Sequence, residues 1–399
     1  MTRQCLRILS PVVAVAVIVV APAAGQVSGR ATVESRVFPR SPLLDTQHRS
    51  DLSLILEPEL YLELARGRHS FLFEPFLRLD LRDGRRTHWD VRALAWRMTA
   101  RSWELQLGIR KVFWGVVESQ HLVDIVNQTD LVENPDGEDK LGQLMVYVAL
   151  IRSWGTVEFY LLPWFRERTF PGAEGRLRFP LPVATDSAAY QSGARRRHVD
   201  WAVRWSHTIG AWDLGLAHFS GTSREPRLVP GKDRSGSAVL IPHYDLIHQT
   251  SLDALWTKGG WVWKLEAMTR SGQGSRFAAF TGGFEYTLFG VLGTGADLGI
   301  LAEYSHDTRG VEATTPFNDD LFLGGRLVLN DVQSSDILVG AMIDRNTRAT
   351  LLLLEASRRL SDGWTLAVEA RAFAGVGGSD FLAGLRKDHY LQIQVAWHF

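Results

Sequence analysis

The stretch SLILEPELYLELA, residues 53–65, decides the fold. Leu54, Leu56, Pro58, Leu60, Leu62 and Leu64 fall on one side, and Ser53, Ile55, Glu57, Glu59, Tyr61 and Glu63 on the other. A repeat of two is the mark of a β-strand with one apolar and one polar face. The next segment repeats it, with Phe71, Phe73, Pro75, Leu77, Leu79 and Leu81 against Glu74, Phe76, Arg78, Asp80 and Arg82. Further along, Trp103, Leu105, Leu107 and Ile109 oppose Glu104, Gln106 and Arg110, and Trp261, Trp263 and Leu265 oppose Lys264 and Glu266. Strands of soluble sheets average about five or six residues. A strand crossing hydrocarbon needs about 9–11 residues and carries this dyad repeat. Alternation over nearly the whole chain therefore predicts an all-β, antiparallel transmembrane barrel.

Eighteen strands are expected, near 31–38, 53–65, 70–82, 88–98, 102–112, 143–153, 156–166, 198–208, 211–220, 243–257, 260–270, 276–289, 296–306, 319–330, 334–345, 349–359, 363–374 and 388–399. Sixteen is the alternative count. Short connections such as 66–69, 153–155 and 257–259 alternate with the long 113–142, 167–197, 221–242, 307–318 and 375–387. Short turns face the periplasm and long loops the exterior in such barrels. Eighteen strands predict a lumen wide enough for water and small solutes, and the strand at Ser53 leaves no room for a preceding plug.

The first 25 residues read as a separate signal peptide, with the barrel filling 26–399. Arg3 and Arg7 precede the apolar run Val12–Val20, and small residues follow at Ala21, Ala23, Ala24 and Gly25. That run is too short to span a bilayer as a helix. Cys5, the one cysteine, leaves with it, so disulfides and thiolate metal sites are excluded. Lys+Arg and Asp+Glu number 44 each, giving no basic face for nucleic acid. The chain shows no GxSxG, HExxH or Walker A pattern, so no enzyme and no cofactor are expected.

The last segment, HYLQIQVAWHF (389–399), sets Leu391, Ile393, Val395, Trp397 and Phe399 on one face. It resembles the C-terminal assembly signal of bacterial outer-membrane barrels, and implies recognition by the barrel assembly machinery. The segment 108–130, GIRKVFWGVVESQHLVDIVNQTD, runs from a strand into an aromatic–Trp–Gly turn at Phe113, Trp114 and Gly115. This arrangement, with Gly108, Arg110 and Lys111, resembles a module of alginate-export-type and related outer-membrane porin families. The resemblance implies a porin-like barrel in the outer membrane of a Gram-negative bacterium. Alginate itself is not carried over.

Glu118, His121, Asp124 and Asn127 recur every three residues, which suits one face of a short helix. The expectation is a loop, 113–142, folded into the lumen as a constriction. Its candidate pore-lining groups are Glu118, His121, Asp124 and Asp130 on the loop, with Arg78, Asp80, Arg92, Glu104 and Arg110 on the wall. No metal site is expected. Arg195–Arg197 would face lipopolysaccharide phosphates or the outer mouth, and Trp89, Trp103, Trp201, Trp205, Trp212, Trp261 and Trp397 would sit in interfacial girdles. The function these features predict is passive diffusion of small hydrophilic solutes. The alternatives are an export conduit for a polymer and an outer-membrane barrel enzyme.

Overall fold

The computed structural model describes residues 25–378 and 380–399, so the signal peptide expected over 1–25 lies outside the described residues except for Gly25. Eighteen antiparallel strands form one closed sheet. The first half of the ring is β1 (Gly25–Val37), β2 (Ser50–Leu64), β3 (His69–Asp80), β4 (His88–Thr99), β5 (Trp103–Arg110), β6 (Gln143–Arg152), β7 (Gly155–Leu162), β9 (Asp200–Ile209) and β10 (Trp212–Thr222). The second half is β13 (Leu246–Lys258), β14 (Trp261–Ser271), β15 (Phe277–Leu288), β16 (Asp297–Asp307), β17 (Asp319–Val328), β18 (Asp336–Asp344), β19 (Thr350–Ser361), β20 (Trp364–Ala374) and β21 (Tyr390–His398). Each pairs with its neighbour in sequence, and β1 pairs with β21 to close the ring. Closure leaves no strand edge unpaired, the condition for a sheet in hydrocarbon. Each strand meets one of the eighteen expected segments. The first begins earlier than expected, at Gly25.

Alternation sorts the side chains as the sequence requires. On β2, Leu54 and Leu60 are exposed outward while Ser53 and Ile55 are buried inward. On β21, Leu391, Ile393, Trp397 and the terminal Phe399 are exposed on the outer face. Phe399 and Gly29 exchange two backbone hydrogen bonds, so the C-terminal residue is itself part of the closing seam. Trp89, Trp201, Trp212 and Trp261 also stand exposed on the outside. Short turns gather at one end and the loops 111–142, 163–199 and 223–245 at the other. A feature absent from the sequence reading is a small external sheet of β8 (Ala189–Tyr190), β11 (Arg227–Lys232) and β12 (Ala238–Tyr244), built from two of those loops.

Candidate functional site: a loop folded across the lumen

After Arg110 the chain leaves the wall. Asn127 ties the neck of the resulting loop: its carboxamide oxygen accepts from Val112 N at 2.8 Å, and its Nδ2 donates to the Arg110 and Leu141 carbonyls at 3.0 and 2.8 Å. Trp114, Val123, Ile125 and Val126 then pack on inward Met145, Tyr147, Tyr160, Phe219 and Ile247. Trp114 meets Tyr160 edge-on at 5.5 Å. Gly115, at φ +154°, leaves no room for a side chain, since a Cβ would stand 2.9 Å from Glu266 Oε1 and 3.0 Å from His121 Nδ1.

The helix expected over 118–127 does not form; the segment is irregular. Its backbone donors go to the opposite wall instead. Glu266 on β14 accepts from Val116, Val117 and Val123 at 2.7, 3.2 and 3.2 Å. Glu303 on β16 accepts from Glu118 N, Ser119 N and Ser119 Oγ at 2.8, 2.8 and 2.6 Å. Both carboxylates are buried. Charged acceptors make stronger hydrogen bonds than carbonyls, so two wall carboxylates displace the i→i−4 pattern. Three-residue spacing fits a helix but does not supply the competing information, which lies on strands over a hundred residues away.

A second lobe, 130–140, reaches a different sector. Glu133 pairs with Arg78 at 2.6 Å, Asn134 donates to Glu369 at 3.3 Å, and Asp136 lies 3.6 Å from Arg371. The first lobe meets the wall at Glu118–Arg326, 2.7 Å apart. Between these two contacts the β17–β20 wall faces the loop across solvent. Glu355, turned inward there, has a side chain 46% exposed, and Arg326 is 30% exposed.

The expected pore groups divide accordingly. Glu118 and His121 face this gap; burial opposes protonation of His121, but Glu266 at 3.8 Å outweighs it and raises its pKa. Asp124 does not face the gap: it is buried behind the loop, paired with Lys140 at 3.2 Å, and burial raises its pKa. Asp130, Arg92, Arg78 and Asp80 are also buried, in an ion network under the loop. Arg92 joins Asp130 and Asp90 at 2.8 and 3.1 Å, Arg78 joins Glu34 at 3.0 Å, and Arg86 joins Glu34 and Asp80 at 2.9 and 3.1 Å. Arg110 donates to Gln106 at 2.5 Å and lies over Tyr147. Glu104 sits near the short-turn end, opposite Thr99 and Ala149. His88, Asp130 and Glu133 bring ligand-type atoms within 4.8 Å of one another. Arg78 and Arg92 already hold both carboxylates, so the group is an ion network first.

Two residues not singled out in the sequence stand at the gap, Asp136 and Glu138, and a third, Asp139, is exposed on the same lobe but turned toward Arg92 and Arg30. Glu138 faces His121, Glu118, Glu355 and Arg371, and its enclosure within the barrel raises its pKa. The signal was ENPDGEDK at 133–140, four acids around a Pro-Asp-Gly turn.

Over this loop lies a strap, 163–199. It crosses the mouth from β7 to the far side, where Arg176 pairs with Asp388 at 2.6 Å and Gly172 N donates to Asp83 at 2.8 Å. Of the arginines at its end, Arg196 pairs with Glu167, while Arg195 and Arg197 are exposed.

No protein-family model matches the chain, and no curated protein matches it. Solved structures match over 94% of this chain and all of theirs. A mutant of the Rh. blastica porin is 11% identical, with a TM-score of 0.47. A loop L8 deletion mutant of OmpT, an outer membrane protein of Vibrio cholerae, is 10% identical, also at 0.47. A structure described as "Asymmetric conductivity of engineered proteins" is 11% identical at 0.45. The chain's own geometry is a closed barrel of eighteen antiparallel strands, apolar outside, with a long loop folded into its lumen.

Proposed function

We propose that this chain is an outer-membrane channel for passive diffusion of small hydrophilic solutes, exported with its signal peptide and embedded among outer-membrane lipid and lipopolysaccharide. The observation that carries the reading is the wet sector of the lumen. Inside a closed, lipid-facing wall, side chains of both signs at Glu118, Glu138, Arg326 and Glu355 meet solvent beside a loop fixed to both sides of the barrel. A packed, solid barrel has no use for solvated charges there. Loop and strap cross the lumen at two levels, which favours small solutes over a polymer. Acids outnumber bases at the gap, so cations are preferred.

Planar bilayers containing the purified barrel test this. Stepwise conductance is expected, with a reversal potential in a KCl gradient favouring K⁺ and with small sugars permeating in liposome swelling. A folded, inserted barrel giving neither current nor swelling overturns the reading.

A further inference from the structure

The β2–β3 ladder carries a defect that the alternation pattern hides. Pairing runs from Ser53–Asp80 to Leu56–Leu77, stops, and resumes at Leu60–Phe73. Among the described residues no other barrel ladder drops three successive pairs on both strands. The register on either side places Pro58 directly opposite Pro75. Gly29, the neighbour of Pro58 on β1, turns both its N–H and its carbonyl to Phe399. In an antiparallel ladder Pro58 therefore turns its own polar groups to β3. Proline has no N–H. Two facing prolines remove both hydrogen bonds of the pair and leave two carbonyls aimed at positions without a donor. Among the described residues no side chain donates to either.

This happens in the middle of the apolar band, between outward Leu56 and Leu60 on β2 and between Phe73 and Leu77 on β3. Orphan backbone carbonyls are tolerated at that depth only where a polar cavity reaches them. One does: a cavity of about 380 Å³ opens on the lumen side, lined by Glu57, Pro58, Glu59, Glu74, Pro75 and Lys111, among others. On the outer side Phe399 closes it, its ring within 2.8 Å of where a Cβ on Gly29 would stand. Arg30 is committed to Glu57, and Arg92 to Asp90 and Asp130. Ser28 and His398 complete the polar lining. The groups outside any ion pair are two carbonyls and the carboxylates of Glu59 and Glu74, with the Lys111 ammonium near Glu74.

We propose that this proline seam is a binding site for the ammonium group of small organic amines. Two carbonyls with no donor and two carboxylates form a niche in which acceptors outnumber its one uncommitted ammonium, Lys111. A primary ammonium, with three donors and a positive charge, complements it; a quaternary ammonium brings the charge without the donors. The site as such stands on the wall alone. That amines meet it during permeation rests on the channel reading above.

Saturation-transfer NMR on the detergent-folded barrel separates the two. Butylammonium is expected to bind, and tetramethylammonium and butyrate to bind at least severalfold more weakly. Pro58→Val with Pro75→Val restores both N–H donors and both ladder bonds, and should weaken butylammonium about tenfold, the loss of roughly one hydrogen bond to a charged group. Glu59→Gln should weaken it without touching the ladder. In bilayers, butylammonium should reduce the K⁺ current of the parent and not of the double-proline variant. Equal binding of butylammonium and tetramethylammonium, or butylammonium binding unchanged in both variants, overturns the site. Binding by NMR with no conductance in the parent overturns the channel reading and leaves the site standing.

Discussion

The two halves of the lumen differ. Against β6, β7, β9, β10 and β13 the interior is dry: inward Met145, Tyr160, Leu162, Phe219 and Ile247 join Trp114, Val123 and Val126 in one apolar core. Against β17–β20 a smaller apolar cluster of Phe322, Leu338 and Met342 lines the wall, and beside it solvated charges at Arg326 and Glu355 face the loop. The strands are continuous around the ring, so the wall does not set this difference. It comes from the identity of inward residues, which on one side take up the loop and on the other repel it from contact except through ions. A barrel interior of this width is thus a place where a loop can have a hydrophobic core of its own, fixing one edge of an aperture while the other stays open to solvent.

The largest effect that sharpens this contrast is in the dry half. Trp114→Ala removes a residue only 3% exposed from the centre of the core. Large-to-small changes of this kind cost about 3–5 kcal/mol. The ring of strands does not depend on Trp114, so the barrel should still assemble while the loop loosens. Expected results are new protease cleavage within 111–142 and raised, noisier conductance in bilayers. Unchanged cleavage and conductance would mean that the loop is held by Glu266 and Glu303 alone.

Next in size is a pair of carboxylates on the same loop that the sequence treats as equivalent. Asp124 faces the dry half, buried with Lys140, and Glu138 faces the wet one. Asp124→Ala strands the Lys140 ammonium, and should cost about 3 kcal/mol of loop stability with little change in ion preference. Glu138→Gln should do the reverse, shifting the reversal potential toward anions with stability changed by less than about 0.5 kcal/mol. Thermal melts and KCl-gradient potentials on both variants read this directly. If Asp124→Ala moves selectivity and leaves stability alone, the assignment of the two halves is inverted.

The wall was legible because one physical rule, apolar out and polar in, acts on every strand. The dry half departs from that rule and left its own trace: LMVYVALI at 144–151 is apolar on both faces, the pattern of a strand covered on both sides. Glu118 and His121 were legible as gap residues. Asp124 and Asp130 were not separable from them, since burial within a loop has no periodicity to read. The external sheet stayed hidden because β11 and β12 are short and interrupted by Pro230 and Pro242. Glu266 and Glu303 looked like any inward charge until the loop was placed against them.

The smallest effect concerns pH, and again divides the halves. Asp136 hangs in the wet sector, and Asp139 lies beside it on the same lobe, toward Arg92. Enclosure within the barrel, then Glu138 and Glu369, raise Asp136 to about 7; enclosure, then Asp136 and Glu133, raise Asp139 to about 7. A raised carboxyl pKa means the group is neutral below that value and charged above it. Its contribution to loop stability is therefore complete in acid and lost as pH rises through about 7. The gap gains negative charge over the same interval, so K⁺ preference should be lower at pH 5.5 than at pH 8.5. Lumen water and salt screen both groups, which keeps the change in permeability ratio near about twofold. Reversal potentials at the two pH values, for the parent and for Asp136→Asn with Asp139→Asn, measure it. The parent should show the rise and the double variant a flat profile. A rise that persists in the double variant would move the titrating group to His121, whose loss of charge with rising pH acts in the same direction, and His121→Gln would then have to abolish it.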